Sequence, residues 1–166
     1  MPNDNLVYWD SVVFIDLIEE TPGRHETLKA ISDSAERAEA RIVTSALTLA
    51  EVSKLNNLRL LPEWAEKKIL EFFENDYITV RDVSRPVCEM ARPIIRGHGL
   101  KPPDAIHVAT ALMAKAQVLH TYDGDLLGKN GLITNPLLTG CPPLRIEVPR
   151  WQFQGDLPLP PPTATG

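Results

Sequence analysis

Short apolar runs recur along this chain, each separated from the next by segments with apolar residues every three or four positions. The runs are Leu6-Val7-Tyr8-Trp9, Ile42-Val43-Thr44-Ser45, Tyr77-Ile78-Thr79-Val80, Val118-Leu119-His120-Thr121 and Leu144-Arg145-Ile146-Glu147-Val148. Mostly continuous, β-branched and aromatic stretches of this length fit strands buried on both faces, and two buried faces require helices on each side. Helical spacing follows directly at Val12, Val13, Phe14, Leu17 and Ile18, closed by Thr21-Pro22-Gly23. A polar helical pattern extends from His25 to Arg41, with Leu28, Ile31 and Ala35 on one side. Further helical segments are marked by Leu47, Ala50, Glu51, Leu55 and Leu58, and by Trp64, Ile69, Leu70 and Phe73 after Pro62. Val87 to Ile95 reads as a helix that Pro93 should kink or split, and Pro102-Pro103-Asp104 opens another containing Ile106, Ala109, Leu112 and Met113. The pattern predicts a single α/β domain with a mainly parallel central sheet of about five strands flanked by helices.

The 166 residues suit one such domain, and eight of the fifteen prolines fall in the last thirty-one residues. We therefore expect the folded domain to span 1–149 and a proline-rich tail to span 150–166, with Trp151 and Phe153 as its possible anchors. No stretch approaches a membrane span, and the N-terminus lacks the basic start of a signal peptide. Two cysteines without a CxxC pair argue against a disulfide scaffold or zinc site, so a cytoplasmic protein with reduced thiols is expected. The net charge of −5 argues against nucleic-acid binding through a broadly basic surface and raises the question of where the carboxylates lie.

In a parallel sheet the working groups gather beyond the carboxyl ends of the strands. Asp10 ends the first run and Glu51 lies on the helix after the second. Asp104 starts the helix before the fourth, and Asp123 and Asp125 follow that strand. Taken singly, each has an ordinary explanation: Asp10 and Asp104 as helix N-caps, Asp123-Gly124 as a turn, Glu51 as a helix ion-pair partner. Together on one sheet edge they would repel one another unless a divalent cation neutralised them. An all-oxygen donor set favours Mg2+ or Mn2+, which can activate water and stabilise charge on a phosphodiester.

Four segments carry a resemblance: residues 7–16 (VYWDSVVFID), 44–52 (TSALTLAEV), 100–111 (LKPPDAIHVATA) and 119–126 (LHTYDGDL). In order and spacing, over roughly residues 6 to 148, the chain resembles the PIN domain, and in particular the VapC-type toxins of toxin–antitoxin pairs. The resemblance implies a metal-dependent endoribonuclease, with catalytic and metal-site roles for Asp10, Glu51, Asp104 and Asp123. Asp125 matches a further, less uniform acidic position, and Ser11 and Thr121 match hydroxyl positions that orient a carboxylate or water. The residue after Ser11 is usually small or polar in that family and is Val12 here, but no acidic position is lost. Partners implied are an RNA substrate, an antitoxin protein and a second copy of the chain, with Leu55, Leu58, Leu60, Leu61 and Trp64 in the region that forms such interfaces.

Arg85, Arg92, Arg96 and Lys101 form a basic series before Asp104 that could contact RNA phosphates, against the plainer reading of a solvated helix face. His107, one turn after Asp104, is read as packed or surface-exposed rather than as a ligand, and His120 as structural. Asp16 is expected either to help the acidic pocket or to serve as a surface or cap residue. The competing functional readings are a PIN-fold module that binds RNA or protein without cleavage and an α/β phosphohydrolase or receiver-like domain. The last lacks a phosphate-gripping lysine after a later strand, and P-loop and GxGxxG patterns are absent.

Overall fold

The computed structural model describes residues 5–54 and 60–150. The chain runs β1 (Leu6–Trp9), α1 (Ser11–Ile18), α2 (His25–Glu36), β2 (Arg41–Ser45), α3 (Ala46–Glu51), α4 (Glu63–Phe73) and β3 (Ile78–Arg81). It continues with α5 (Arg85–His98), α6 (Pro102–Met113), β4 (Val118–His120), α7 (Gly124–Leu127) and β5 (Arg145–Glu147). All four pairings are parallel, in the order β3-β2-β1-β4-β5, giving the expected α/β sheet of five strands flanked by helices.

Successive residues of β1 supply two cores. Tyr8 faces Val87, Met90, Ile94, Val108 and Ala109 of α5 and α6. Trp9 faces Phe14, Leu28, Ile69 and Phe73 of α1, α2 and α4. Both side chains are fully buried, as are Phe14 and Leu28, and each such burial contributes on the order of 2 kcal/mol. Burial on both faces explains why the strand shows no polar alternation. Parallel pairing also places the carboxyl ends of all five strands on one edge. The sheet extends from β1 through β2 to β3 on one side and through β4 to β5 on the other. The order therefore reverses between β1 and β4, where such sheets form a crevice.

The helices differ from the sequence pattern mainly at their ends. The segment from His25 is helical only to Glu36, because Ala38 takes a left-handed φ of 61° and the chain must turn into β2. The helix after β2 stops at Glu51 instead of running on through the leucines, and Lys54 pairs with Leu60 as an isolated antiparallel bridge. Leu55 and Leu58 lie outside the described residues, as do Trp151, Phe153 and the rest of the tail beyond Arg150. Of the remaining apolar residues in that connection, Leu61 is buried, whereas Leu60 and Trp64 are 72% and 69% exposed. Leu70 is also exposed, so α4 packs through Ala65, Ile69 and Phe73.

Pro93 does not split its helix. α5 is one element from Arg85 to His98, with Pro93 on its exposed face, where water can take the carbonyl that a proline N–H cannot serve. Lys101, not Asp104, is the N-cap residue of α6; Asp104 sits in the first turn behind Pro102 and Pro103. No helix among the described residues is long and apolar enough to cross a membrane.

Candidate active site

Asp10 follows β1 and caps α1: its Oδ1 accepts from the Val13 N–H at 3.3 Å. Its other oxygen, Oδ2, accepts a hydrogen bond from the Thr121 hydroxyl. Thr121 lies just past β4, which pairs with β1, so the bond crosses the point where strand order reverses. The same hydroxyl accepts from the Asp123 N–H at 2.9 Å, and Asp123 Oδ1 caps α7 through the Leu126 N–H at 3.1 Å. Capping therefore occupies one oxygen of Asp10 and one of Asp123, and Thr121 ties the two loops together.

Two further acids come from neighbouring elements. α6 leads down to the start of β4, so its first turn, with Asp104, stands at the carboxyl edge of the sheet. Glu51 ends α3, which leaves β2 at that same edge. The charges act on one another. Burial pushes the Asp10 carboxyl up to about 6, Asp123 adds to the rise, and the Thr121 hydrogen bond and His107 oppose it. Asp104 is raised by burial and then by Asp123, with Glu51 contributing and His107 and Lys101 opposing. Burial works against the Glu51 charge too, but hydrogen bonds from His107 and Ser11 outweigh it and hold the carboxyl below its ordinary value.

The structure thus brings Asp10, Glu51, Asp104, Asp123, Ser11 and Thr121 to one neighbourhood. Asp125 lies exposed on the first turn of α7 and takes no part in the hydrogen bonds joining Asp10, Thr121 and Asp123. Lys101 is exposed beside the acids, its charge felt by Asp104. Arg92 and Arg96 are exposed on α5, and Arg85 is ion-paired with Glu89 at 2.6 Å near the start of that helix.

Asp16 is neither at the surface nor a cap. It is fully buried, accepting from the Thr21 hydroxyl at 2.8 Å and from Arg24 at 2.7 Å. The Arg24 guanidinium in turn stacks 3.9 Å over the Tyr122 ring. His120 is buried and neutral, its pKa lowered to about 4 by burial, and its Nδ1 accepts from the Trp9 indole at 3.2 Å. His107 is buried as well, but it also touches the site: its Nε2 lies 2.7 Å from Glu51. That contact was not expected from the sequence. A polar side chain at i+3 from Asp104 on an apolar helix face places His107 on the side of Asp104 but does not name Glu51.

The donor set fits a hard divalent cation. It consists of carboxylate oxygens whose mutual repulsion and burial a positive charge would relieve. Among the described residues, however, no three acidic, histidine or cysteine side chains stand close enough together to make a ready-formed metal site.

Comparison with known proteins agrees with this architecture. VapC20 of Mycobacterium tuberculosis, described as a sarcin-ricin loop cleaving toxin, aligns with a TM-score of 0.58 at 22% identity, covering 72% of this chain and 91% of that one. A toxin–antitoxin complex from Klebsiella pneumoniae aligns at 0.55 and 22% identity, covering 78% and 97%. VapBC2 from Rickettsia felis, bound to a promoter DNA fragment, aligns at 0.60 and 16% identity, covering 86% and 98%. At these identities the likeness establishes a shared fold. No curated protein matches the chain by sequence. The PIN domain model matches residues 7–131, three quarters of the chain and all four candidate acids, and the protein therefore belongs to the PIN domain family.

Proposed function

We propose that this chain hydrolyses phosphodiester bonds in RNA with the help of Mg2+ or Mn2+, and that it acts as the toxin of a toxin–antitoxin pair. The observation that carries the reading is the convergence of Asp10, Glu51, Asp104 and Asp123 where strand order reverses, with Thr121 bonded to two of their loops. Membership of the PIN family and the fold shared with VapC20 and the two toxin–antitoxin complexes support it.

Asp10, Asp104 and Asp123 would hold the cation, with Asp125 as an additional acidic donor at the exposed rim. The cation would supply charge neutralisation at the phosphate and activation of water. Thr121 fixes the orientation of Asp10 and the approach of the Asp123 backbone. Glu51 would take the proton of the attacking water as its oxygen bonds to phosphorus, while the bond to the leaving ribose oxygen breaks and that oxygen gains a proton. Lys101 would hold a neighbouring phosphate, with Arg92 and Arg96 extending the contact and Arg85 at its far end.

The exposed Leu60 and, in the first turn of α4, Trp64 support a protein partner there, as an antitoxin or a second copy would provide. The free thiols Cys88 and Cys141 accord with a cytoplasmic location. The domain is taken to end at Pro149, with residues 150–166 as an appended tail.

The test is cleavage of structured and single-stranded RNA by purified protein with Mg2+, Mn2+ or chelator. Cleavage by wild type with metal, lost in chelator and in folded Asp10→Asn and Asp104→Asn, is the expected result. Equal cleavage by all three proteins would contradict it. RNA binding without any cleavage would make the chain a binding module instead.

A further inference from the structure

Behind the acids lies a buried hydrogen-bond relay that the reaction outlined above does not use. The Tyr8 hydroxyl is 2.6 Å from His107 Nδ1, and His107 Nε2 is 2.7 Å from Glu51 Oε2. The His107 side chain is 3% exposed and that of Glu51 29%, so the imidazole is sealed in while the carboxylate reaches the site. The carboxylate fixes one proton of this relay. An ionised carboxylate only accepts, so Nε2 carries a proton toward Glu51, while Nδ1 meets the phenol oxygen of Tyr8.

The relay couples elements far apart in sequence, since 56 residues separate Glu51 from His107 and 99 separate Tyr8 from His107. Tyr8 is fully buried on the central strand and meets the imidazole edge-on, with ring centroids 5.8 Å apart at 68°. Glu51 is the last residue of a six-residue helix. The central strand of the sheet is therefore connected, through one imidazole, to one of the four acids.

We propose that Tyr8 and His107 are positioning residues that fix the Glu51 carboxylate against the acidic centre. The inference rests on the reading of that centre as a metal-dependent nuclease. Partners of this kind behind a working carboxylate typically contribute tenfold to hundredfold in metal affinity or rate.

The test is the pair Tyr8→Phe/His107→Leu, which replaces both buried polar partners with apolar groups of similar shape, its folding checked by circular dichroism. Its Mn2+ affinity by calorimetry and its RNA cleavage rate are compared with wild type, Glu51→Gln and the triple variant. The expected result is a tenfold to hundredfold loss in the pair, recovery of most of it in His107→Gln, and a triple variant no worse than Glu51→Gln alone. Long-range 1H–15N spectra of wild type should show His107 protonated on Nε2. A folded pair with wild-type affinity and rate, while Glu51→Gln is impaired, would overturn the inference and leave the nuclease reading intact. So would losses that multiply in the triple variant, or a ring without a proton on Nε2. A wild type that neither binds Mn2+ nor cuts RNA would overturn both.

Discussion

At the scale of single residues, Asp10 carries the sharpest conflict between stability and function. It is buried at the carboxyl end of the central strand, and its carboxyl titrates at about 6 instead of 3.8. A folded-state value above the unfolded one means that folding takes up a proton between the two. The Asp10 contribution to metal-free stability is therefore greatest below about pH 4 and declines as pH rises to about 6. The shift corresponds to ~3 kcal/mol above that window, part of which cation binding would return. Asp10→Asn should then raise the melting temperature near neutral pH in chelator and give no gain at pH 4. Thermal melts at the two pH values decide it; a lower melting temperature at neutral pH would contradict the burial argument. Asp10, Asp104 and Asp123 could be found in the sequence because each follows a strand or begins a helix, and Glu51 because it lies on the helix after the second strand. The His107–Glu51 contact could not, because local pattern says nothing about which side chains meet across 56 residues.

At the scale of elements, α5 and α6 set the approach to the site. Pro93 lies inside α5 on its exposed face, where a proline usually costs up to about 3 kcal/mol relative to alanine. Pro93→Ala should raise stability by ~1–3 kcal/mol in chemical denaturation and leave RNA cleavage unchanged. α5 has 14 residues, hence a length of roughly 20 Å, and joins α6 at the end where Asp104 and Lys101 stand. Lys101 is thus beside the acids and Arg85 about a helix length away. Lys101→Ala should weaken RNA binding and lower its salt dependence by about one phosphate contact, whereas Arg85→Ala should do little. Filter binding across a salt series separates the two; equal effects would mean the whole basic series lies along the RNA. Strand cores were readable at this scale because double burial leaves continuous apolar runs. Helix ends were not, since the left-handed turn at Ala38 follows from where β2 must enter the sheet. The end of α3 at Glu51 likewise breaks a leucine spacing that continues beyond it.

At the scale of the molecule, an acidic chain with a net charge of −5 gathers four of its carboxylates at one sheet edge, and the parallel order β3-β2-β1-β4-β5 is what brings them there. The topology was legible only as a class, because alternation of strands and helices specifies parallel pairing but not which strand lies at the centre. The central claim is that Asp10, Asp104 and Asp123 hold one cation, with Glu51 beside it. Paramagnetic broadening of amide signals by substoichiometric Mn2+ in the intact protein tests it most directly. Broadening should appear first at Asp10, Ser11, Glu51, Asp104 and Asp123 and vanish in Asp10→Asn. Broadening concentrated instead on the exposed acidic turns of α4, around Glu63 and Glu66, and unchanged by Asp10→Asn, would contradict the account.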